Sequence, residues 1–108
     1  MKANNSKPVI GLTVGDCNGI GPEIVLKSAG QRSILKLCSP MLVGPVNVFE
    51  FYAKRLRIPL PPVPILESST LPFSKIHPGK ISASSGKAAA LAIQAGVHLA
   101  EAGVIRAS

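Results

Sequence analysis

The spacing of apolar positions changes in a regular way along the chain. Pro8-Val9-Ile10-Gly11-Leu12-Thr13-Val14 is a short, nearly continuous apolar run rich in β-branched residues, and it leads into glycines, the pattern of a buried strand feeding a loop. Gly19, Gly21 and Pro22 then precede Glu23-Ile24-Val25-Leu26-Lys27-Ser28-Ala29. Pro22 suits the first helical position, where its missing N–H is not needed, and Glu23 suits the positive end of the helix dipole. The pattern returns in Pro40-Met41-Leu42-Val43-Gly44, a second predicted strand, after which Val46, Phe49, Ala53 and Leu56 fall at helical spacing on one face. Glu50 and Lys54 stand at i and i+4 as a solvent-side pair. Pro59-Leu60-Pro61-Pro62-Val63-Pro64 lacks the N–H groups of an inner strand and predicts a stiff extended connector, with at most an edge strand over Val63 to Leu66.

From Phe73 to Ser85 the chain reads as irregular and rich in small residues. A long helix follows, capped by Ser84 or Ser85. Ala88, Leu91, Ala92, Ala95, Leu99 and Ala102 fill one arc, while Lys87, Gln94, His98 and Glu101 share another. Gly103 ends the helix, and Val104-Ile105 opens a further strand. Strands alternating with helices imply parallel pairing by right-handed crossovers and a sheet covered on both faces, hence a three-layer α/β fold. Residues 1–108 are expected to form one such unit, still incomplete, because few strands and helices are present to cover both faces.

Composition supports a folded chain and narrows its setting. Of 108 residues, 46% are hydrophobic and 16% charged, too apolar for intrinsic disorder. Twelve Lys and Arg against five Asp and Glu give a net charge of +7, which favours phosphates, nucleic acid or anionic surfaces without choosing among them. One Tyr, three Phe and no Trp leave little to stack on bases, so nucleic acid is not the expected partner. Lys54-Arg55-x-Arg57 instead suits the negative pole of a helix end. Cys17 and Cys38 form neither a CxxC pair nor a disulfide framework, and the start Met1-Lys2-Ala3-Asn4-Asn5-Ser6-Lys7 runs into residues too polar for a signal segment. With no membrane-length apolar run, a cytoplasmic setting is expected.

The segment that points to chemistry is Gly15-Asp16-Cys17-Asn18-Gly19-Ile20-Gly21-Pro22-Glu23, a glycine turn from the end of a strand to the start of a helix. In open α/β sheets ligands bind at such places, because unpaired helix N–H groups face the crevice and glycines let the backbone approach closely. Gly15, Asp16, Asn18, Gly19 and Gly21 are therefore the candidate cofactor-binding residues. The known phosphate loops are excluded. GxGxxG fails at Ile24, and GxxxxGK[ST] fails around Gly86-Lys87 because Ile81 and Ala88 occupy its first and last positions.

The run Gly15-Asp16-x-Asn18-Gly19-Ile20-Gly21-Pro22-Glu23, continuing into Ile24-Val25-Leu26-Lys27, resembles the N-terminal signature of the 4-hydroxythreonine-4-phosphate dehydrogenase family of pyridoxal phosphate biosynthesis. Pro78-Gly79-Lys80-Ile81-Ser82-Ala83-Ser84-Ser85-Gly86-Lys87-Ala88 is similar to the same family's segment leading into a long alanine-rich helix. The resemblance implies an isocitrate/isopropylmalate dehydrogenase-like fold and a homodimeric enzyme. That enzyme oxidises 4-phosphooxy-threonine (4-hydroxythreonine 4-phosphate) with NAD or NADP, after which carbon dioxide is lost. It implies a divalent metal (Zn, Mg or Co) and a phosphorylated small-molecule substrate, both held by residues downstream of the matched region. Within residues 1–108 it supplies no catalytic residue and no metal ligand, so the chain reads as the N-terminal portion of a larger dehydrogenase, inactive by itself. The family continues past the last helix into a Thr-x-Pro-Ile-Asn-Lys motif, where this chain reads Val104-Ile105-Arg106-Ala107-Ser108.

Two other readings stand beside this one. Isocitrate and isopropylmalate dehydrogenases carry a similar Gly-Asp-Gly-Ile-Gly-Pro-Glu, and a basic non-enzymatic module that binds anions or nucleic acid also fits the charge. Asp16 and Asn18 either orient a cofactor or bond to the loop's own N–H groups as Asx turns, the latter being favoured for Asp16. Cys17 is expected to be a small unreactive filler. His77 and His98 are too isolated to ligate a metal. Lys80 and Lys87 flank a serine-rich helix start, an arrangement either for an anion or for two solvated lysines.

Overall fold

The computed structural model describes residues 7–80, 82–103 and 106–107. Five elements appear where the apolar spacing placed them: β1 (Val9–Thr13), α1 (Gly21–Ala29), β2 (Ser39–Val43), α3 (Val46–Leu56) and α4 (Ala83–Glu101). A short helix, α2 (Arg32–Leu37), lies between α1 and β2, and none of its residues is buried. The predicted edge strand is the two-residue β3 (Ile65–Leu66), and a final short strand, β4, covers Arg106–Ala107. The predicted opening of that strand, Val104-Ile105, lies outside the described residues, as does most of the N-terminal stretch, residues 1–6.

All pairings are parallel, in the order β3-β2-β1-β4, with β1 and β2 in register from Val9 opposite Ser39 to Thr13 opposite Val43. From β1 to β2 to β3 the chain steps in one direction across the sheet. After β3 it turns back, passes β1 and adds β4 on the other side. Right-handed crossovers therefore place α1, α2 and α3 on one face and α4 on the opposite face, which makes the three layers. The packing agrees, since α1 rests on α3 while α4 rests on β1, β2 and β4. Between β1 and β4 the strand order reverses, and at such a switch point the loops diverge and leave a crevice beyond the carboxyl ends of the strands.

The core joins Val14, Leu42 and Val43 of the sheet to Leu26 of α1 and Val48 and Phe49 of α3, all buried. In α3 the buried residues are Val48, Phe49, Tyr52 and Ala53, so the buried arc is rotated away from Val46 and Leu56, which are only half-buried. α4 buries a line of small residues, Ser85, Ala88, Ala92 and Gly96, and at Gly96 a β-carbon would lie 3.3 Å from Thr13 Cγ2. Small side chains let this helix lie close on β1. Ala102, expected in the same arc, is exposed because the helix is ending there, and Gly103 follows with φ +77°.

Two expected polar contacts differ. Glu50 and Lys54 make no ion pair, whereas Glu23 and Lys27 on α1 do, at 2.8 Å. The cap of α4 is Ser82, not Ser84 or Ser85, and its Oγ accepts a bond from Ser85 N at 3.1 Å. Ser82 has extended backbone (φ −145°, ψ 155°), which is what lets a side chain reach the free amides of the first turn. In chemical denaturation, Ser82→Ala is expected to cost about 1 kcal/mol, the usual loss for an N-cap hydroxyl. Ser84→Ala is expected to stay within about 0.5 kcal/mol of the parent.

Candidate functional site

The glycine turn leaves the sheet at Val14, whose N–H donates to Val43 O at 2.9 Å. Gly15 takes φ +69°, a left-handed conformation that side chains resist. Gly21 is required for another reason: a β-carbon there would lie 2.6 Å from the main-chain oxygen of Val14. The turn thus folds back so tightly that the start of α1 touches the end of β1. Asp16 forms the expected Asx turn, its Oδ1 accepting from Asn18 N at 3.0 Å, and Gly19 N donates to Asp16 O at 3.0 Å.

The turn has a dry side and a wet side. Cys17 and Asn18 are buried, while Asp16 is exposed and Ile20 is 73% exposed. The bend is therefore not sealed inside the globule. No side chain caps α1, since its N-cap is Ile20, and Pro22 has no N–H. The start of α1 therefore carries the positive end of the helix dipole with no side-chain cap on its first-turn amides. Asp16 is exposed, and Glu23, half-buried in the first turn of α1, is held by Lys27. Gly15, Gly19 and Gly21 are half-buried between the two sides.

Asn18, one of the five candidate cofactor residues, has its hydrogen-bonding groups taken up inside the protein. Its Nδ2 donates to Lys80 O at 2.9 Å and to Ser82 Oγ at 3.5 Å, and its Oδ1 accepts from His77 N at 2.8 Å. Its main-chain oxygen accepts from Gly79 N. Residues 77, 79, 80 and 82 all bond to this one buried residue. Through Ser82 the chain of bonds continues to Ser85 and so into α4. Sequence spacing carries no signal for this contact, which spans more than fifty residues.

Cys17 is a filler, as expected. Burial, then the neighbouring Asp16 charge, pushes its thiol up to about 11, so it is neutral and unreactive at neutral pH. Its carbonyl accepts a buried bond from Tyr52 Oη at 2.7 Å, which pins the turn to α3. Burial also pushes the Tyr52 hydroxyl up, with the Cys17 sulfur adding to the effect and Arg55 opposing it. His77, Lys80, Lys87 and His98 are all exposed, and Lys80 N donates to His77 O at 3.0 Å. No group of three or more His, Cys, Asp or Glu converges among the described residues, so no metal ligand is assigned to them. Nor is any described helix long and apolar enough to cross a membrane.

No protein-family model matches the chain. A Clostridium botulinum protein provisionally named a D-threonate 4-phosphate dehydrogenase is 30% identical to 95% of the chain, which corresponds to 35% of that protein. D-threonate 4-phosphate dehydrogenase of Cupriavidus necator is 42% identical over 53 residues, 49% of this chain and 16% of its own length. Among solved structures, a 4-hydroxythreonine-4-phosphate dehydrogenase from Burkholderia phymatum superposes with a TM-score of 0.84 at 28% identity, over 94% of this chain and 35% of that one. A terephthalate 1,2-cis-dihydrodiol dehydrogenase from Burkholderia xenovorans does so with 0.73 at 30%, over 92% and 32%. The chain spans about a third of the length of these full-length relatives.

Asn18→Ala is expected to cost about 2–4 kcal/mol, because it removes several bonds at once and leaves buried partners unsatisfied. Trypsin should then cut after Lys75 and Lys80 well before global unfolding; equal cleavage rates in parent and variant would show that the clamp does not hold this segment. The thiol makes a second test. An acid with a higher pKa folded than unfolded stabilises the fold below its unfolded value and loses that contribution as pH rises through the folded one. Stability is therefore expected to fall between pH 9.0 and about 11 on account of Cys17, and a Cys17→Ala variant should show a shallower fall. The sequence motifs, the common fold and the named relatives agree: the chain is a homologue of the 4-hydroxythreonine-4-phosphate and D-threonate 4-phosphate dehydrogenases, with their isocitrate dehydrogenase-like α/β fold.

Proposed function

We propose that this chain supplies one wall of the cofactor cleft of an NAD(P)-dependent oxidoreductase acting on a phosphorylated hydroxy acid. The observation that carries the reading is the glycine turn at the switch point between β1 and β4, exposed along one rim and uncapped at the start of α1. Gly21 lets the start of α1 approach Val14 closely, which leaves the turn compact beside the exposed Asp16 and Ile20. Asp16 Oδ1 is engaged with Asn18 N, which leaves Oδ2 at the exposed edge for a hydroxyl or amide donor of the cofactor. Asn18 then acts by holding the turn in shape rather than by touching the cofactor.

The substrate class comes from the relatives. 4-Hydroxythreonine 4-phosphate and D-threonate 4-phosphate both carry a phosphate on C4 and a hydroxyl on the carbon β to a carboxylate. Oxidation of that hydroxyl gives a β-keto acid, which readily loses carbon dioxide. The nicotinamide, when bound, takes the hydride. D-threonate 4-phosphate is favoured by the 42% identity to the Cupriavidus necator enzyme over half of this chain. With 4-hydroxythreonine 4-phosphate instead, the step belongs to pyridoxal phosphate biosynthesis. Either way the divalent metal and the catalytic groups are assigned to residues outside this chain. The assembly is proposed to be a cytoplasmic homodimer.

Two measurements on the 108-residue protein test this. With NAD or NADP, a divalent metal and either substrate, turnover is expected to be absent, and measurable oxidation would overturn the assignment of catalysis elsewhere. In an NMR titration, NAD or NADP is expected to shift the amide signals of residues 15–23 selectively. Shifts confined to other regions would remove the turn from the cofactor site.

A further inference from the structure

A second concave feature lies away from the glycine turn. Segment 69–75 and the first turns of α4 enclose a groove of about 450 Å³. Two of its lining residues are lysines, Lys75 and Lys87, and three carry hydroxyls, Ser69, Thr70 and Ser84; no carboxylate lines it. On α4, Ser84 and Lys87 stand three residues apart and so share one face. Lys75 is set by a single 3₁₀ turn, Phe73–Lys75, closed by its own N–H donating to Pro72 O at 2.9 Å.

One lining residue is electrostatically unfinished. Ser69 Oγ is closed off from solvent and has no hydrogen-bond partner, so a donor or acceptor in the groove would satisfy it. The start of α4 adds its dipole at the same place. Lysines, hydroxyls and a helix start without a competing carboxylate make a setting for a compact, doubly charged anion. The glycine turn differs, since the carboxylate of Asp16 is exposed there.

We propose that this groove binds a phosphoryl group, with Lys75 and Lys87 as its cationic ligands and the hydroxyls of Ser69, Thr70 and Ser84 as donors. The site is separate from the turn assigned to the cofactor and does not depend on that assignment. Both monoester phosphates of small acids and the phosphates of a dinucleotide present the same oxygens.

The test uses the 108-residue protein at constant ionic strength, with inorganic phosphate as the probe and NMR amide shifts as the readout. Phosphate is expected to shift residues 69–75 and 84–88, and the Lys75→Gln/Lys87→Gln double variant should bind it at least about tenfold more weakly, the effect of losing one or two charge-assisted bonds. Lys36→Gln, which removes an exposed lysine on α2, should leave the affinity unchanged. Displacement of phosphate by NAD identifies the dinucleotide as the source of the phosphoryl group; failure to displace it identifies a phosphate monoester. Undetectable phosphate binding, equal binding by the double variant, or equal weakening by Lys36→Gln overturns the proposal. Both lysines are exposed, so circular dichroism of the double variant should match the parent.

Discussion

One buried amide holds the turn after β1 to the approach to α4. Asn18 sits in the turn between β1 and α1, on one side of the sequence, and bonds to residues 77, 79, 80 and 82 on the other. Without those bonds, residues 67–80 have only a two-residue strand before them and a single 3₁₀ turn, Phe73–Lys75, within them. Irregular backbone buried at 1% exposure of its anchoring side chain needs a partner for every polar group, and Asn18 supplies both acceptors and donors from one position. An aspartate lacks the donors, and a leucine lacks both. The constraint is chemical as well as steric, which is why asparagine rather than a similarly sized residue is needed.

From this clamp the rest of the edge follows. Tyr52 fixes the same turn from below by bonding to Cys17 O, so the turn is tied to α3 and to the approach to α4 at once. Glu67, just after β3, in turn accepts from Val46 N at 3.2 Å and serves the start of α3, which Pro45 cannot cap with its side chain. The turn after β1 therefore secures the start of α4, and the residue after β3 secures the start of α3. A parallel sheet brings its strand ends and helix starts to one edge, and here cross-bonds make that edge a rigid unit.

Much of the fold was legible because it depends on local patterns. β1, β2, α1, α3 and α4 follow from apolar spacing, and Pro22, Gly103 and the proline connector mark boundaries through constraints that a single residue imposes. α2 was not legible: Arg32-Ser33-Ile34-Leu35-Lys36-Leu37 is too short for a helical stripe and buries nothing. The cap at Ser82 was missed by two or three residues because serines at 82, 84 and 85 are equivalent in sequence, and only the extended backbone of Ser82 decides among them. At the site, the Asx turn of Asp16 and the inert Cys17 are short-range consequences of residue type. The clamp by Asn18 and the lysine-lined groove arise from contacts between distant segments, for which one sequence holds no periodic trace.

The distribution of charge along this edge separates two kinds of work. At the glycine turn the backbone comes close, Asp16 and Ile20 are exposed, and Glu23 is paired with Lys27. At the groove beside α4 the charged residues are lysines, accompanied by hydroxyls. The turn is shaped by close backbone contacts, whereas the groove, proposed as a phosphoryl site, is lined by lysines and hydroxyls. Residues that only shape and charge a surface tolerate wide sequence drift, provided the few close contacts survive. That is consistent with relatives about 30% identical sharing the fold over nearly all of this chain while differing in named substrate. What the structure shows this chain to fix is the scaffold, a glycine turn tied at once to α3 and to the approach to α4.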